Sequence, residues 1–159
     1  KERVAPEIVA TGPVKENIVT GKDVNLFDLP VPHWNRSDGG RYIATYAGCV
    51  TKNPDTNVMN VGVYRGMVAD RNHIPIYMYR AQHIGHHALA WQQKGAKEMP
   101  IAYVIGWEPS MDFCSGSPVP MGRVVSSRTT STTDAHGYGA IVRSVVSRNP
   151  FVLISGSDR

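Results

Sequence analysis

The 159-residue chain reads as a small α+β domain. Short β-branched and aromatic runs recur between polar turns, their connections are too short for crossovers, and one later stretch switches to helical spacing. Hydrophobic residues make up 42% and charged residues 19%. That is enough apolar material for one packed core and not for two domains.

Residues 1–32 read as an extended entry segment, because Pro6, Pro13, Pro30 and Pro32 interrupt any helix. Within it Asn17 to Thr20 has the composition of a short strand closed by Gly21. Arg41 to Thr51 (RYIATYAGCVT) is a strand, Lys52 to Asn57 a turn, and Val58 to Ala69 the returning strand of a hairpin. After the polar turn Asp70 to His73, Ile74 to Arg80 makes a third strand of an antiparallel meander. From His83 to Lys94 the residues Ile84, Ala88 and Trp91 fall at i, i+4 and i+7, the apolar stripe of a helix, with Gly95 as its stop. Pro100 to Trp107 is an apolar strand expected to be buried on both faces, and Glu108 to Pro120 is a loop. Beyond Gly122 the pattern changes: Arg123 to Asp134 is crowded with Ser and Thr, and neither period survives. Ile141 to Val146 and Phe151 to Ile154 read as short strands or helix turns. The division is therefore residues 1–122 as one domain and 123–159 as a divergent tail, either frameshifted or disordered.

The net charge is +4, but five Arg with only Asp134 and Asp158 lie after residue 122, scattered and not grouped. No basic patch is available to track phosphates, so nucleic-acid binding is not expected. No run approaches the roughly 20 apolar residues of a membrane span, and the first residues lack a signal-peptide core. Two distant cysteines, Cys49 and Cys114, form neither a disulfide framework nor a thiolate zinc motif, and a cytoplasmic setting is expected.

Several residues could carry chemistry. His83 and His87 are spaced to share a helix face in QHIGHH, yet the glutamate of a zinc hydrolase is missing after the first His. The simpler reading is that the imidazoles cap or satisfy a solvent-facing helix side. In NVGVYR, Asn60 and Arg65 are five strand steps apart, ~16 Å, on opposite faces, and Gly62 between them permits close backbone approach or a bulge. The pair could touch the two ends of a long ligand, or be a turn residue and a solvated charge. Ser115-Gly116-Ser117-Pro118 is a small-residue loop able to hold a phosphate or flavin edge, or a plain turn.

Taken in order, VPHWNRSDGGRYIATYAGCVTKNPDT, NVGVYRGMV, YRAQHIGHHALAWQQKG and MPIAYVIGWEPSMDFCSGSPVP closely resemble the UbiD-like decarboxylases, over about residues 8 to 122. The resemblance implies an internal fragment of a split β-barrel, flavin-reductase-like and FMN-binding, with antiparallel strands and one packed helix. It implies prenylated FMN (prFMN), Mn²⁺ and K⁺ as cofactors. Asn60 and His83 would be metal ligands, Arg65 the catalytic guanidinium beside the flavin ring and the substrate carboxylate, and Val63, Tyr64, Arg65, Gln82, Ser115, Gly116, Ser117 and Pro118 cofactor contacts. Mixed oxygen and imidazole ligation suits Mn²⁺. His86 and His87 would be bystanders. The implied reaction is non-oxidative, reversible loss of CO₂ from an aromatic or α,β-unsaturated acid. The parent would form a homo-oligomer and draw its cofactor from a flavin prenyltransferase. One position departs from the family pattern: Val125 stands where the third metal ligand, a glutamate, is expected. The chain would then be an inactive fragment, or a non-catalytic barrel remnant that binds a flavin or phosphate.

Overall fold

The computed structural model describes residues 10, 17–106, 109–118, 142–144 and 151–152. The central element is a four-stranded sheet in the order β2-β1-β4-β5. Its strands are β1 (Ala47–Lys52), β2 (Met59–Val63), β4 (Ile101–Ile105) and β5 (Val142–Ser144). A second pair joins β3 (Ile76–Tyr77) to β6 (Phe151–Val152). Every pairing is antiparallel. The helices are α1 (His83–Gln93) and α2 (Pro109–Ser115).

The β1–β2 hairpin forms as the turn cluster predicts. Asn53 caps the connection by accepting from the amides of Asp55 and Thr56, and Asn57 takes a positive φ of 58°, which asparagine tolerates. In the register Thr51 faces Asn60 and Cys49 faces Gly62, while β4 sets Tyr103 beside Cys49. Directly opposed residues share a face. One face of the sheet therefore carries Cys49, Thr51, Asn60, Gly62, Ile101 and Tyr103, and all six are buried. Helix α1 covers this face through Ile84, which is fully buried. Val63, turned the other way by strand alternation, meets α2.

Several expectations are corrected. Residues 17–20 form no strand; a 3-10 turn, Gly21–Asp23, follows them. The first strand begins at Ala47, not Arg41, because residues 43–46 turn; among the described residues only an isolated bridge, Tyr42 to Met67, precedes it. The second strand ends at Val63, and the third is just Ile76–Tyr77. The meander survives as a loose ladder: Met67 donates to Pro75, Ala69 to His73 and Tyr77 to Arg65. Proline at 75 has no amide to give, which limits regular pairing there. Strand β4 is fully buried at Ile101 and Tyr103 and half-buried at Ala102, Val104 and Ile105, so the expected burial on both faces is corrected to burial on one face and partial cover on the other. The expected loop after it is partly helix α2, and two helices are packed where one was expected. Beyond residue 122, Val142–Ser144 and Phe151–Val152 are strands; the remaining expectations for the tail, Val125 included, lie outside the described residues.

A candidate metal and cofactor site at the start of the first helix

Asn60, Gly62 and Tyr64 alternate along one strand direction and present themselves to the N-terminus of α1. There Asn60 Oδ1 lies 2.9 Å from His83 Nδ1. With its proton on Nδ1 the ring donates to the amide oxygen; with the proton on Nε2 both atoms carry lone pairs and could ligate a cation. Asn60 is 7% exposed, so the pair sits at the edge of the core. One turn along the helix, Thr51 Oγ1 and His87 Nδ1 are 3.0 Å apart, both buried. The two contacts are rungs between a helix and two neighbouring strands, fixed by the Thr51–Asn60 register. Trp91 Nε1, one further turn on, donates to the Lys52 carbonyl at 2.8 Å. His87 is thus an interior structural histidine, and burial, followed by the nearby His83 and His86, pulls its pKa below the usual imidazole value. His86 is exposed.

Tyr64 is 7% exposed. Its hydroxyl accepts from Asn60 Nδ2 and from the Ile84 amide, each at 3.3 Å. Its carbonyl accepts from Tyr103 Oη at 2.9 Å. Burial, opposed by those hydrogen bonds, pushes the phenol above its usual value and keeps it neutral. Gly62 makes room for this ring: a Cβ there would stand 2.8 Å from Tyr64 Cε2. The glycine expected to admit a ligand therefore admits the chain's own tyrosine.

Val63, Tyr64, Arg65 and Gln82 line one cavity of about 290 Å³ together with Tyr77. The Arg65 guanidinium lies 5.3 Å from the Tyr77 ring centroid, a cation–π contact that restrains it. Gln82 Oε1 accepts from the Tyr79 amide at 2.8 Å, which leaves its NH₂ group for a ligand. Val63 also lines a second cavity of about 460 Å³ with Tyr46, Asp112, Phe113, Gly116, Ser117 and Pro118. Seven of the expected site residues thus border two cavities that share Val63. Ser115 does not: it is buried and donates to the Asp112 carbonyl at 2.7 Å. The amides of Gly116 and Ser117 likewise donate back to Asp112 and Cys114. The expected amide cradle is the end of a helix, with its donors already used. Tyr77, Tyr46 and Phe113 were not among the expected residues. Tyr77 was reachable, since Ile74 and Ile76 alternate inward and Tyr77 and Tyr79 outward along that segment.

Among the described residues no group of three His, Cys, Asp or Glu is placed to hold a metal ion. The donor pair itself suits a hard or borderline cation. Adjacent ligands of an octahedral ion at about 2.1 Å stand about 3.0 Å apart, close to the observed 2.9 Å between Asn60 Oδ1 and His83 Nδ1.

Fold and site together define an α+β domain with an amide–imidazole pair beside an aromatic-rimmed cleft. The chain belongs to the UbiD family: the family described as UbiD, 3-octaprenyl-4-hydroxybenzoate carboxy-lyase Rift-related domain, matches residues 7–124. It is 36% identical over 115 residues to ferulic acid decarboxylase 1 of Saccharomyces cerevisiae, covering 72% of this chain and 23% of that protein. The vanillic acid decarboxylase of Sedimentibacter hydroxybenzoicus in its closed form superimposes with a TM-score of 0.69 at 34% identity, over 77% of this chain and 26% of that one. An evolved dimeric form of the UbiD-class enzyme HmfF from Pelotomaculum thermopropionicum, solved in complex with prFMN, gives a TM-score of 0.65 at 28% identity, over 71% and 26% of the two chains. The chain spans about a quarter of the length of these relatives.

Proposed function

We propose that this chain is the cofactor-holding portion of a decarboxylase for aromatic or α,β-unsaturated acids, its sheet forming part of a split barrel. The observation that carries the reading is the meeting of Asn60 Oδ1 and His83 Nδ1 at 2.9 Å, next in sequence to Gln82 and joined through Asn60 Nδ2 to Tyr64, both of which line the cavity that contains Arg65. In this reading Asn60 and His83 would hold a divalent cation of the Mn²⁺ type, with K⁺ as a second ion, and the cation would offset the charge of the prFMN phosphate. When bound, the modified flavin supplies an electron sink for the pair left by departing CO₂.

The residues then have separate tasks. Asn60 and His83 anchor the phosphate end. Val63, Gly116, Ser117 and Pro118 wall the flavin, with Gln82 offering its free NH₂. Arg65, restrained over Tyr77, receives the substrate carboxylate in its planar fork and orients it for cleavage. An oriented donor in a dry site is typically worth roughly 3–4 kcal/mol of barrier. A second reading, flavin or phosphate binding without turnover, draws on Val125, which offers no lone pair where the family pattern has a glutamate. The test is FMN fluorescence in the full chain, with and without Mn²⁺, followed by CO₂ release with prFMN and a panel of aromatic acids. Mn²⁺ should tighten FMN binding at least tenfold, and Asn60→Ala or His83→Ala should abolish that gain. Binding without CO₂ release selects the second reading, and no FMN binding at all overturns both.

A further inference from the structure

The family resemblance implies Tyr64 as a cofactor contact, but its hydroxyl turns inward, toward Asn60 and Ile84. It meets the side chain of Asn60 and the backbone of Ile84, at 3.3 Å each, deep enough that the residue is 7% exposed. A phenolic oxygen has two lone pairs, and these two donors occupy both. The consequence falls on Asn60. With its NH₂ group committed to Tyr64, the amide can present only its oxygen in the opposite direction, where His83 stands. The consequence falls on α1 as well, because Ile84 is in its first turn and its amide has no partner within the helix.

We propose that Tyr64 is a positioning residue for the candidate cation site, its hydroxyl locking the amide plane of Asn60 to the first turn of α1 so that Asn60 Oδ1 is held beside His83 Nδ1. The proposal rests on the cation reading above and assigns the geometry to a third residue that touches no cation. The stretch Asn60-Val61-Gly62-Val63-Tyr64 acts as one device: alternation brings positions 60, 62 and 64 to the same face, and Gly62 lets the ring fold back. The Tyr103 hydroxyl, fully buried, holds the Tyr64 carbonyl at 2.9 Å, so the backbone at that position is fixed independently of the hydroxyl. Removing the hydroxyl alone therefore frees Asn60 without moving the strand.

The experiment compares the wild-type chain with Tyr64→Phe, which keeps the ring over Gly62. Two quantities are read: Mn²⁺ affinity with FMN present, from the paramagnetic resonance of free Mn²⁺, and hydrogen exchange of the Asn60 side-chain amide by ¹⁵N NMR. Groups that orient metal ligands typically contribute 10–100-fold in metal affinity. Tyr64→Phe should lose Mn²⁺ affinity by about that factor and speed Asn60 exchange, with a lowered melting temperature because Asn60 Nδ2 and the Ile84 amide lose their acceptor. Equal Mn²⁺ affinity in the two proteins overturns the role of Tyr64 while leaving the cation reading intact. Absence of Mn²⁺ binding in the wild type overturns the cation reading and this proposal with it. Weaker binding with Asn60 exchange unaltered also overturns it, since the loss would then bypass Asn60. Should Tyr64→Phe fail to fold, the wild type alone decides: an Asn60 side-chain amide exchanging at the free rate is incompatible with the lock.

Discussion

At the residue scale, histidine chemistry separates three neighbours that look alike in QHIGHH. His83 meets Asn60, His86 is exposed, and His87 is buried against Thr51. Burial lowers the His87 pKa in the folded state, while in the unfolded chain the imidazole titrates near 6.5. Below pH 6.5 the unfolded state therefore takes up a proton that the folded state refuses. Stability must fall as the pH drops through that value and level off below the folded pKa. His87→Gln keeps a polar partner for Thr51 but carries no titrating ring. Its urea midpoint should change less between pH 7.5 and pH 5.5 than that of the wild type. Identical pH dependence in the two proteins would mean that His87 stays accessible to protons in the fold.

At the scale of elements, helix α1 shows what the glycine within it and the glycine just past its end do. Gly85 packs on the chain just before it: a Cβ there would meet the Tyr79 carbonyl oxygen at 2.2 Å and Arg80 Cα at 2.7 Å. Both obstacles are backbone, so the helix would have to lift and His83 would leave Asn60. Gly95 ends the helix at φ +79° with nothing within 4 Å of a Cβ, where only local strain opposes a side chain. Gly95→Ala should cost about 1–2 kcal/mol. Gly85→Ala should cost more than the roughly 1–3 kcal/mol of ordinary overpacking, and it alone should abolish the Mn²⁺ effect on FMN binding. Urea denaturation with FMN titration checks the pair, and equal costs would contradict the packing at Gly85. The helix itself was legible because Ile84, Ala88 and Trp91 keep its period, and the hairpin because Lys52 to Asn57 is dense in turn formers. The third strand was overread: its composition is strand-like, but Pro75 interrupts the donors on which pairing depends. The same limit applies at the site. The family resemblance, not local pattern, named Asn60 and His83 as a pair, whereas the inward turn of Tyr64 and the use of the Ser115–Ser117 donors by α2 depend on contacts that no local pattern encodes.

At the scale of the whole molecule, the distribution of exposed aromatic surface bears on where a cofactor lies. Trp34, Tyr46 and Phe113 are 59%, 58% and 75% exposed. Tyr46 and Phe113 rim the larger cavity and Tyr77 the smaller, with Val63 common to both. Isolated exposed hydrophobics are ordinary, but several bordering two cavities that share Val63 mark a surface meant to be covered. If a flavin lies across Val63, it should compete for that surface with any apolar probe. The dye ANS should therefore fluoresce with the unliganded chain, and FMN should suppress that signal at the concentrations that quench its own fluorescence. Replacing Tyr46 and Phe113 together by Ser should lower the ANS signal at least twofold. Surface substitutions of this kind ordinarily change stability by no more than about 0.5 kcal/mol, so the melting temperature serves as the control. Binding of FMN should also raise that temperature, since a ligand at 100 times its Kd stabilises the fold by about 2.7 kcal/mol. Quenching of FMN with the ANS signal untouched would place the flavin away from both cavities, and the roles given to Val63, Gly116, Ser117 and Pro118 would fall together while those of Asn60 and His83 would stand.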